Sequence, residues 1–436
     1  MFRPLRLAVP ARARAIHLGH LPNTNSPIVP TLSFFNSITP PGEKIPTFRV
    51  LDGLGKPVEG AELPDIDEPF ARKLYEHMQL LPTLDTVLYN VQRQGKISFH
   101  MTSHGEEATV IGCAAALEPD DEVLGQYREM GVLLWRGFGV DAIMAQCFGN
   151  HEDTSGKGRQ MPVHFGSPAH HFHTISSPLA TQIPQAAGVG YALRRARPRN
   201  IAACFFGEGA ASEGDFHAGF LLASTLPAPT LFLARNNGFA ISTPSTEQYF
   251  GDGIASRGPG YGIDTVRVDG NDVLAVLAAV RAARARTQAG GRAVLVEAMT
   301  YRVGHHSTSD DSFAYRQRAE VEDRKRVDNP LARFRLFLES RGWWGAEDEA
   351  ALKERLQKMV MKAFRHAEAA PKGQISNLFS DVYGGEEPWN ITEQRGELTR
   401  LLKKYGDTYE PWRNELARFK NKGEDLTAAG AVASHD

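Results

Sequence analysis

The chain reads as an α/β protein, a mostly parallel sheet flanked by helices with an α-helical C-terminal region. Three observations predict this. Two short apolar runs, residues 200–206 (NIAACFF) and 230–234 (TLFLA), bracket a helical stretch at 216–225, with glycine and proline at the breaks. Strand, glycine turn, helix and strand make one right-handed βαβ unit with parallel strands. After Arg302 the text turns to charged helical segments, PLARFRLFLESRGW and EDEAALKERLQKMVMKAFRHAEA, that carry no chemical motif.

The elements follow in order. Residues 1–19 (MFRPLRLAVPARARAIHLG) are arginine-rich and acid-free, and the first acid is Glu43. That is the composition of a mitochondrial transit peptide, hence a matrix protein, with the basic arm of a bacterial cytoplasmic protein as the alternative. Residues 67–95 (DEPFARKLYEHMQLLPTLDTVLYNVQRQG) form an amphipathic helix interrupted at Pro82. Residues 105–117 (GEEATVIGCAAAL) form a small-residue helix suited to close packing, and 121–128 (DEVLGQYR) a strand ending in polar residues. Ser212 to Asp215 has capping-box-like spacing. Residues 393–406 are helical, and 426–436 (LTAAGAVASHD) read as a disordered tail. The expected division is 1–45 (leader and flexible segment), 46–325 (core domain), 326–425 (helical region) and 426–436 (tail).

Composition narrows the function. A chain of 436 residues buries a substantial core. A formal charge of -2 argues against nucleic acid as main partner, and no apolar run is long enough to span a bilayer. Cys113, Cys147 and Cys204 have no paired metal spacing and read as reduced core thiols.

The chemistry concentrates between Cys204 and Ser242. Glu208 stands between Gly207 and Gly209 at the end of one strand, and Asn236-Asn237 ends the next. Ligands of parallel sheets sit at the carboxyl ends of strands, so Glu208 and Asn237 can approach each other. A carboxylate, an amide oxygen and a free backbone carbonyl suit Mg²⁺, which takes further ligands from phosphates or water. The two glycines allow close approach of a phosphate, to which the N–H groups of Gly209 and Ala210 can donate at a helix start. This pattern describes a diphosphate held through a metal. Two other readings stay open on the residues alone: a dinucleotide site, though Ser212 replaces the third glycine and no acid ends the second strand, and a purely structural turn.

Further polar groups have bland readings beside functional ones. Arg128 and Arg235 could each grip a phosphate or lie on the surface. Residues 176–182 offer several oxygens, or an ordinary Ser-capped helix start. The pair His305-His306 and the group His164, His170, His171 and His173 could ligate metal, yet no set has tetrahedral zinc spacing.

The Gly-Glu-Gly and Asn-Asn arrangement resembles the thiamine diphosphate motif. The surrounding text is similar to the α subunit of the E1 component of branched-chain 2-oxo acid dehydrogenases. The matching stretches are 125–129 (GQYRE), 156–164 (GKGRQMPVH), 175–182 (ISSPLATQ), 251–254 (GDGI) and 301–311 (YRVGHHSTSDD), within a likeness spanning roughly residues 45 to 420. The resemblance implies oxidative decarboxylation of 2-oxo acids such as 3-methyl-2-oxobutanoate, with thiamine diphosphate as electron sink. The acyl group passes to the lipoyl arm of an E2 acyltransferase. It also implies site roles. Gln126, Tyr127, Arg128, Ser177, Leu179, Gly207, Glu208, Gly209, Ala210, Arg235, Asn237 and the catalytic His306 surround the cofactor. Glu208, Asn237 and the carbonyl of Phe239 hold Mg²⁺; Ser176, Pro178, Thr181 and Gln182 hold K⁺. The aminopyrimidine-binding half lies on a β subunit, so an α2β2 assembly is expected. A pyruvate or acetoin enzyme and a non-catalytic regulatory subunit remain alternatives.

The sequence also departs from the family pattern. Phe239 stands where relatives often have Tyr, and the loop 151–158 (HEDTSGKG) is one residue longer than the pattern. Ser307 matches a serine phosphorylated by a dedicated kinase, with a phosphatase opposing it. A second such position is Gln317 here. Ser307, Thr308, Ser309 and Ser312 are expected to be accessible hydroxyls.

Overall fold

The computed structural model describes Leu21 and residues 24–40, 42–373, 375–381, 383–405 and 408–409. The leader-like segment 1–19 and the tail 426–436 lie outside these residues. Eight strands form one sheet: β1 (Ile28–Val29), β2 (Thr47–Phe48), β3 (Glu122–Leu124), β4 (Phe172–His173), β5 (Ala202–Gly207), β6 (Thr230–Asn236), β7 (Asp264–Asp269) and β8 (Val294–Met299). Their order is β1-β2-β7-β8-β6-β5-β3-β4, and every pairing is parallel.

Both faces of this sheet are covered, which is why its central strands read as unbroken apolar runs. Alternate residues divide between two cores. Ala203, Phe205, Leu231, Leu233, Val266 and Val296 face one core, which they share with Met78, Ala114 and Leu277 of the helices Glu68–Arg93, Glu107–Ala116 and Val273–Gly290. Ala202, Cys204, Phe206, Phe232 and Ala234 face the other, with Ile183 and Phe220 of the helices Gln182–Ala196 and Gly214–Thr225. The C-terminal helices Pro330–Ser340 and Ala346–Ala369 add Phe334, Phe337, Leu356 and Val360 to the first core. The three cysteines are free and buried. Among the described residues no helix is long and apolar enough to cross a membrane.

Three local expectations change. The Glu68–Arg93 helix runs through Pro82 without a break. Proline fits helical φ, and its missing N–H and the crowding of its ring on the preceding turn are offset by burial of Leu81, Leu84 and Leu88 around it. The β3 strand stops at Leu124, because Glu129 draws the following chain into a turn by accepting from the N–H groups of Gln126 (2.7 Å) and Arg128 (3.1 Å). The Ser212 capping box does not form. The helix starts at Gly214, and Ser212 Oγ donates instead to Glu208 O (3.4 Å) and Gln248 Oε1 (3.2 Å).

The sheet positions the site directly. Four neighbours, β8, β6, β5 and β3, end side by side. They are followed by Arg302, Asn237, Glu208 and the run Gln126–Arg128, respectively. Behind them Phe206 packs between Phe216, Phe220 and Phe232, with ring centroids 5.7, 6.3 and 6.4 Å away. Phe206→Ala should destabilise the fold by about 3–5 kcal/mol. A lowered midpoint in chemical denaturation checks this, and an unchanged midpoint would contradict the packing described.

Candidate active site

The site is built around a buried set of charges. Arg235, the penultimate residue of β6, sends Nη1 to Glu106 Oε2 at 2.5 Å. Its Nε lies 2.6 Å from Glu129 Oε1, in a geometry that makes an ion pair without a well-aligned hydrogen bond. Arg128 Nε stands 3.8 Å from Glu106 Oε1. All four residues are buried. Burial works against the charges of Glu106 and Arg235, yet their partners prevail. Arg235 and Arg128 hold the Glu106 carboxyl below its ordinary range, and Glu129 and Glu106 hold Arg235 above its own.

Glu208 and Asn237 meet as their strand positions require. Asn237 N donates to Glu208 Oε2 at 3.4 Å. The other carboxylate oxygen, Oε1, is buried with no hydrogen-bond partner. Burial, reinforced by the nearby Glu106 charge, pushes the Glu208 carboxyl up to about 7. The Asn237 amide is fixed: Nδ2 donates to Glu106 Oε1 (2.8 Å), and Oδ1 accepts from Phe239 N (3.2 Å). Its neighbour Asn236 turns the other way, with Nδ2 donating to Glu297 Oε1 (2.8 Å) and to Tyr249 Oη (3.1 Å). A buried carboxylate oxygen without a partner, beside an amide oxygen and arginines, is a donor set that fits a divalent cation carrying an anion. The Phe239 ring turns from these oxygens toward Tyr301 and the Arg302 guanidinium.

Around them the turn after β3 closes one wall. Gln126 Oε1 accepts from Gly207 N at 2.9 Å, and the Tyr127 ring meets His306 edge-on at 5.9 Å. A side chain on Gly209 would press on Ala240 Cβ at 3.0 Å, so a residue with a Cβ is crowded there.

His306 sits among cations. Its Nδ1 lies 3.2 Å from Arg128 Nη2 and 3.4 Å from Arg302 Nη1, and its carbonyl accepts from Arg128 Nη2 at 2.8 Å. Burial and the two guanidinium charges push its pKa down to about 3, so the imidazole is neutral. Two donors at Nδ1 assign the remaining proton to Nε2. The loop is pinned through Asp310, whose Oδ2 accepts from His306 N and Tyr315 Oη, both at 2.7 Å. Arg302 Nη2 donates to Tyr315 Oη (2.7 Å) and Ile241 O (2.6 Å).

The expected accessibility of this loop is corrected. Ser307, Thr308 and Ser312 are buried, at 7%, 2% and 1% exposure, and Ser309 alone of the four is exposed. Thr308 and His100 exchange hydrogen bonds, each 3.1 Å, and His100 Nε2 rests 2.9 Å from the buried Asp85 carboxylate. Ser307 Oγ accepts from Ser309 N at 3.2 Å.

The run 176–182 precedes the Gln182–Ala196 helix. Ser177 does not cap it; its hydroxyl pairs with His164 Nε2. Ser176, Ser177 and Pro178 are exposed and Leu179 is half-buried, while Gln182 is buried and donates Nε2 to Phe205 O at 3.0 Å. Thr181 Oγ1 donates to Pro178 O at 3.3 Å. The other histidines have separate tasks. His170 pairs with Ser167 (2.7 Å), and His171 (3.0 Å) and His173 (3.2 Å) converge on Glu122. His305 Nδ1 meets Ser312. In the 151–158 loop, Asp153 gathers the N–H groups of Ser155, Gly156 and Gly158.

Residues 75–376 match the family model described as "Dehydrogenase E1 component". The chain belongs to this dehydrogenase E1 family. It is similar to proteins named 2-oxoisovalerate dehydrogenase subunit alpha, mitochondrial. Identity is 55% with that of Macaca fascicularis and 54% with that of Homo sapiens, each over 365 residues, 84% of this chain and 82% of the relative. With the Caenorhabditis elegans protein it is 50% over 366 residues, 84% of both chains.

Sequence reasoning about this E1 chain missed Glu106, Glu129, Asp310 and Tyr315. Glu106 and Glu129 carry a faint signal, since each lies within a stretch already singled out, 105–117 and 125–129 respectively.

A cation held by Glu208 would need its ionised form, so Mg²⁺ affinity would fall roughly tenfold per unit as pH drops below about 7. Without metal the sign reverses. The raised pKa lends stability that is full below pH 4.5 and is lost as pH rises through about 7. Calorimetric Mg²⁺ titrations across pH check this, and Glu208→Gln should weaken binding and flatten its pH profile.

Proposed function

We propose that this chain is the α subunit of a branched-chain 2-oxo acid dehydrogenase E1 component. With a β subunit it decarboxylates branched-chain 2-oxo acids and reductively acylates the lipoyl group of an E2 acyltransferase. The observation that carries this is the likeness to 2-oxoisovalerate dehydrogenase α subunits over most of both chains. The mitochondrial designation of those relatives and the arginine-rich segment 1–19 support a mitochondrial matrix location. Residues 46–325 serve as the diphosphate-binding unit and 326–425 as a helical extension.

Thiamine diphosphate, when bound, supplies the carbon nucleophile and the electron sink for decarboxylation. This chain's own residues bind and orient its diphosphate end. Glu208, Asn237 and the Phe239 carbonyl hold Mg²⁺, so loss of a tyrosine hydroxyl at Phe239 removes no ligand. Arg128 and Arg235, with the N–H groups of Gly209 and Ala210, line the diphosphate end. Gln126 fixes Gly207; Tyr127, Ser177 and Leu179 complete the wall. Neutral His306 donates from Nε2 without adding charge. Ser176, Pro178, Thr181 and Gln182 supply oxygens for K⁺, which would brace the same wall.

This chain supplies one half of such a site, and an α2β2 assembly completes it. The purified α chain alone should therefore turn over no 2-oxo acid. Reconstituted with its β subunit, it should prefer 3-methyl-2-oxobutanoate to pyruvate in side-by-side lipoyl acylation assays. Equal or better turnover of pyruvate would favour a pyruvate-type enzyme. Steady turnover without β subunit would defeat the division of labour.

Ser307 is the proposed target of a regulatory kinase and phosphatase. Its hydroxyl is buried, so the loop must open to be modified. A phosphate adds about -1.5 to -2 charges beside an anionic cofactor and cannot return to the same niche. The phosphorylated protein should show faster proteolysis between residues 304 and 316 and lose activity, with both reversed by phosphatase. A stoichiometric phosphate on Ser307 with unchanged turnover would refute the switch.

A further inference from the structure

The side-chain amide of asparagine has two unlike ends, and only the oxygen can ligate Mg²⁺. We infer that Glu106 is the positioning residue that decides which end of the Asn237 amide faces the metal, an inference that rests on the Mg²⁺–diphosphate reading of the site. An ionised carboxylate can only accept hydrogen bonds. Glu106 Oε1 takes Asn237 Nδ2 at 2.8 Å, which turns Oδ1 away from it. That oxygen accepts only from Phe239 N at 3.2 Å, and a second lone pair is left for a cation.

The position of Glu106 in the fold supports this role. It is the N-cap of the Glu107–Ala116 helix, where an acid ordinarily bonds the first-turn amides. Its side chain makes no such bond. The backbone carbonyl accepts the first helical bond, from Val110 N at 3.0 Å, while the carboxylate reaches across to Arg235 and Asn237 on the neighbouring strand end. Glu106 is fully buried, and Arg235 and Arg128 keep its charge in place. The same device recurs one residue earlier, where Glu297 fixes the Asn236 amide from the opposite side.

A merely structural role for Glu106, as partner of Arg235, predicts something different under reversal of the hydrogen bond. In Glu106→Gln the introduced amide still offers an oxygen to Arg235, but its NH₂ confronts the Asn237 NH₂ or lets that amide flip. In Asn237→Asp the introduced carboxylate confronts the Glu106 carboxylate. In the double variant, donor and acceptor are exchanged, the net charge of the pair is unchanged, and an oxygen again faces the metal.

The test uses the full α chain assembled with its β subunit. Mg²⁺-dependent thiamine diphosphate binding is measured by calorimetry, and the melting temperature of each metal-free assembly is recorded. Each single variant should weaken apparent Mg²⁺ affinity by roughly 10–100-fold, and the double variant should recover most of that loss. Single-variant losses that simply add in the double overturn the inference while leaving the functional reading intact. So does unaltered Mg²⁺ affinity in Glu106→Gln, or failure of both Glu106→Gln proteins to assemble. Absence of Mg²⁺-dependent binding in the unmodified assembly overturns the functional reading and the inference with it.

Discussion

Arg235 lies between two buried carboxylates, Glu106 and Glu129, and the rest of the site depends on that placement. Taking a charge out of water costs several kcal/mol unless a partner compensates it. Here Glu106 and Glu129 face Arg235 and Arg128, two charges of each sign, in a volume with little access to water. The set is nearly balanced before any ligand arrives. Glu208 is the carboxylate left over. It has no cation of its own, one of its oxygens has no partner, and its affinity for a proton is correspondingly high. A divalent cation would satisfy that oxygen and let Glu208 ionise, and the charge it brings is in turn met by an anion.

The parallel sheet makes this arrangement possible with short connections. Four adjacent strands each deliver a chemical group at the same edge, so residues 126, 208, 237 and 302 meet although they span much of the chain. Strand alternation sorts the two amides. Asn236, still within β6, turns its amide to Glu297, and Asn237, one residue on, turns its amide to Glu106 while its backbone N–H donates to Glu208. Of the paired amides, one thus fastens the strand end and the other faces the site.

Much of the architecture was legible because local signals agreed with one another. The apolar runs at 200–206 and 230–234 were strands, and the Gly-Glu-Gly turn lay at the end of the first, since buried parallel strands need no alternation and end where backbone freedom begins. The limits were equally physical. Pro82 looked like a break because a local rule cannot weigh the burial of Leu81, Leu84 and Leu88. Ser212 looked like a cap because its alternative partner, Gln248, lies 36 residues away. Glu106 and Glu129 gave only a faint signal as site residues because an acid near a helix start is usually solvated, and only the strand order places Arg235 between them. The hydroxyls of 307–312 looked exposed for the same reason. Their burial depends on His100 and Arg316, groups that composition alone does not bring near.

The loop around His306 is held by a closed set of mutual attachments. Arg302 faces His306 Nδ1 and also holds Tyr315; Tyr315 holds Asp310; Asp310 holds the His306 backbone. The ring closes on itself, so no member moves without disturbing the imidazole. Thr308 adds an anchor to His100 and, through it, to the buried Asp85 at the heart of the long first helix. Ser307 sits between these two attachments, and its hydroxyl accepts from Ser309 N. A phosphate there would bring both bulk and charge to a buried position. The segment would therefore have to release both anchors together. Opening the loop at Ser307 would thus disturb the bonds that hold His306 as well.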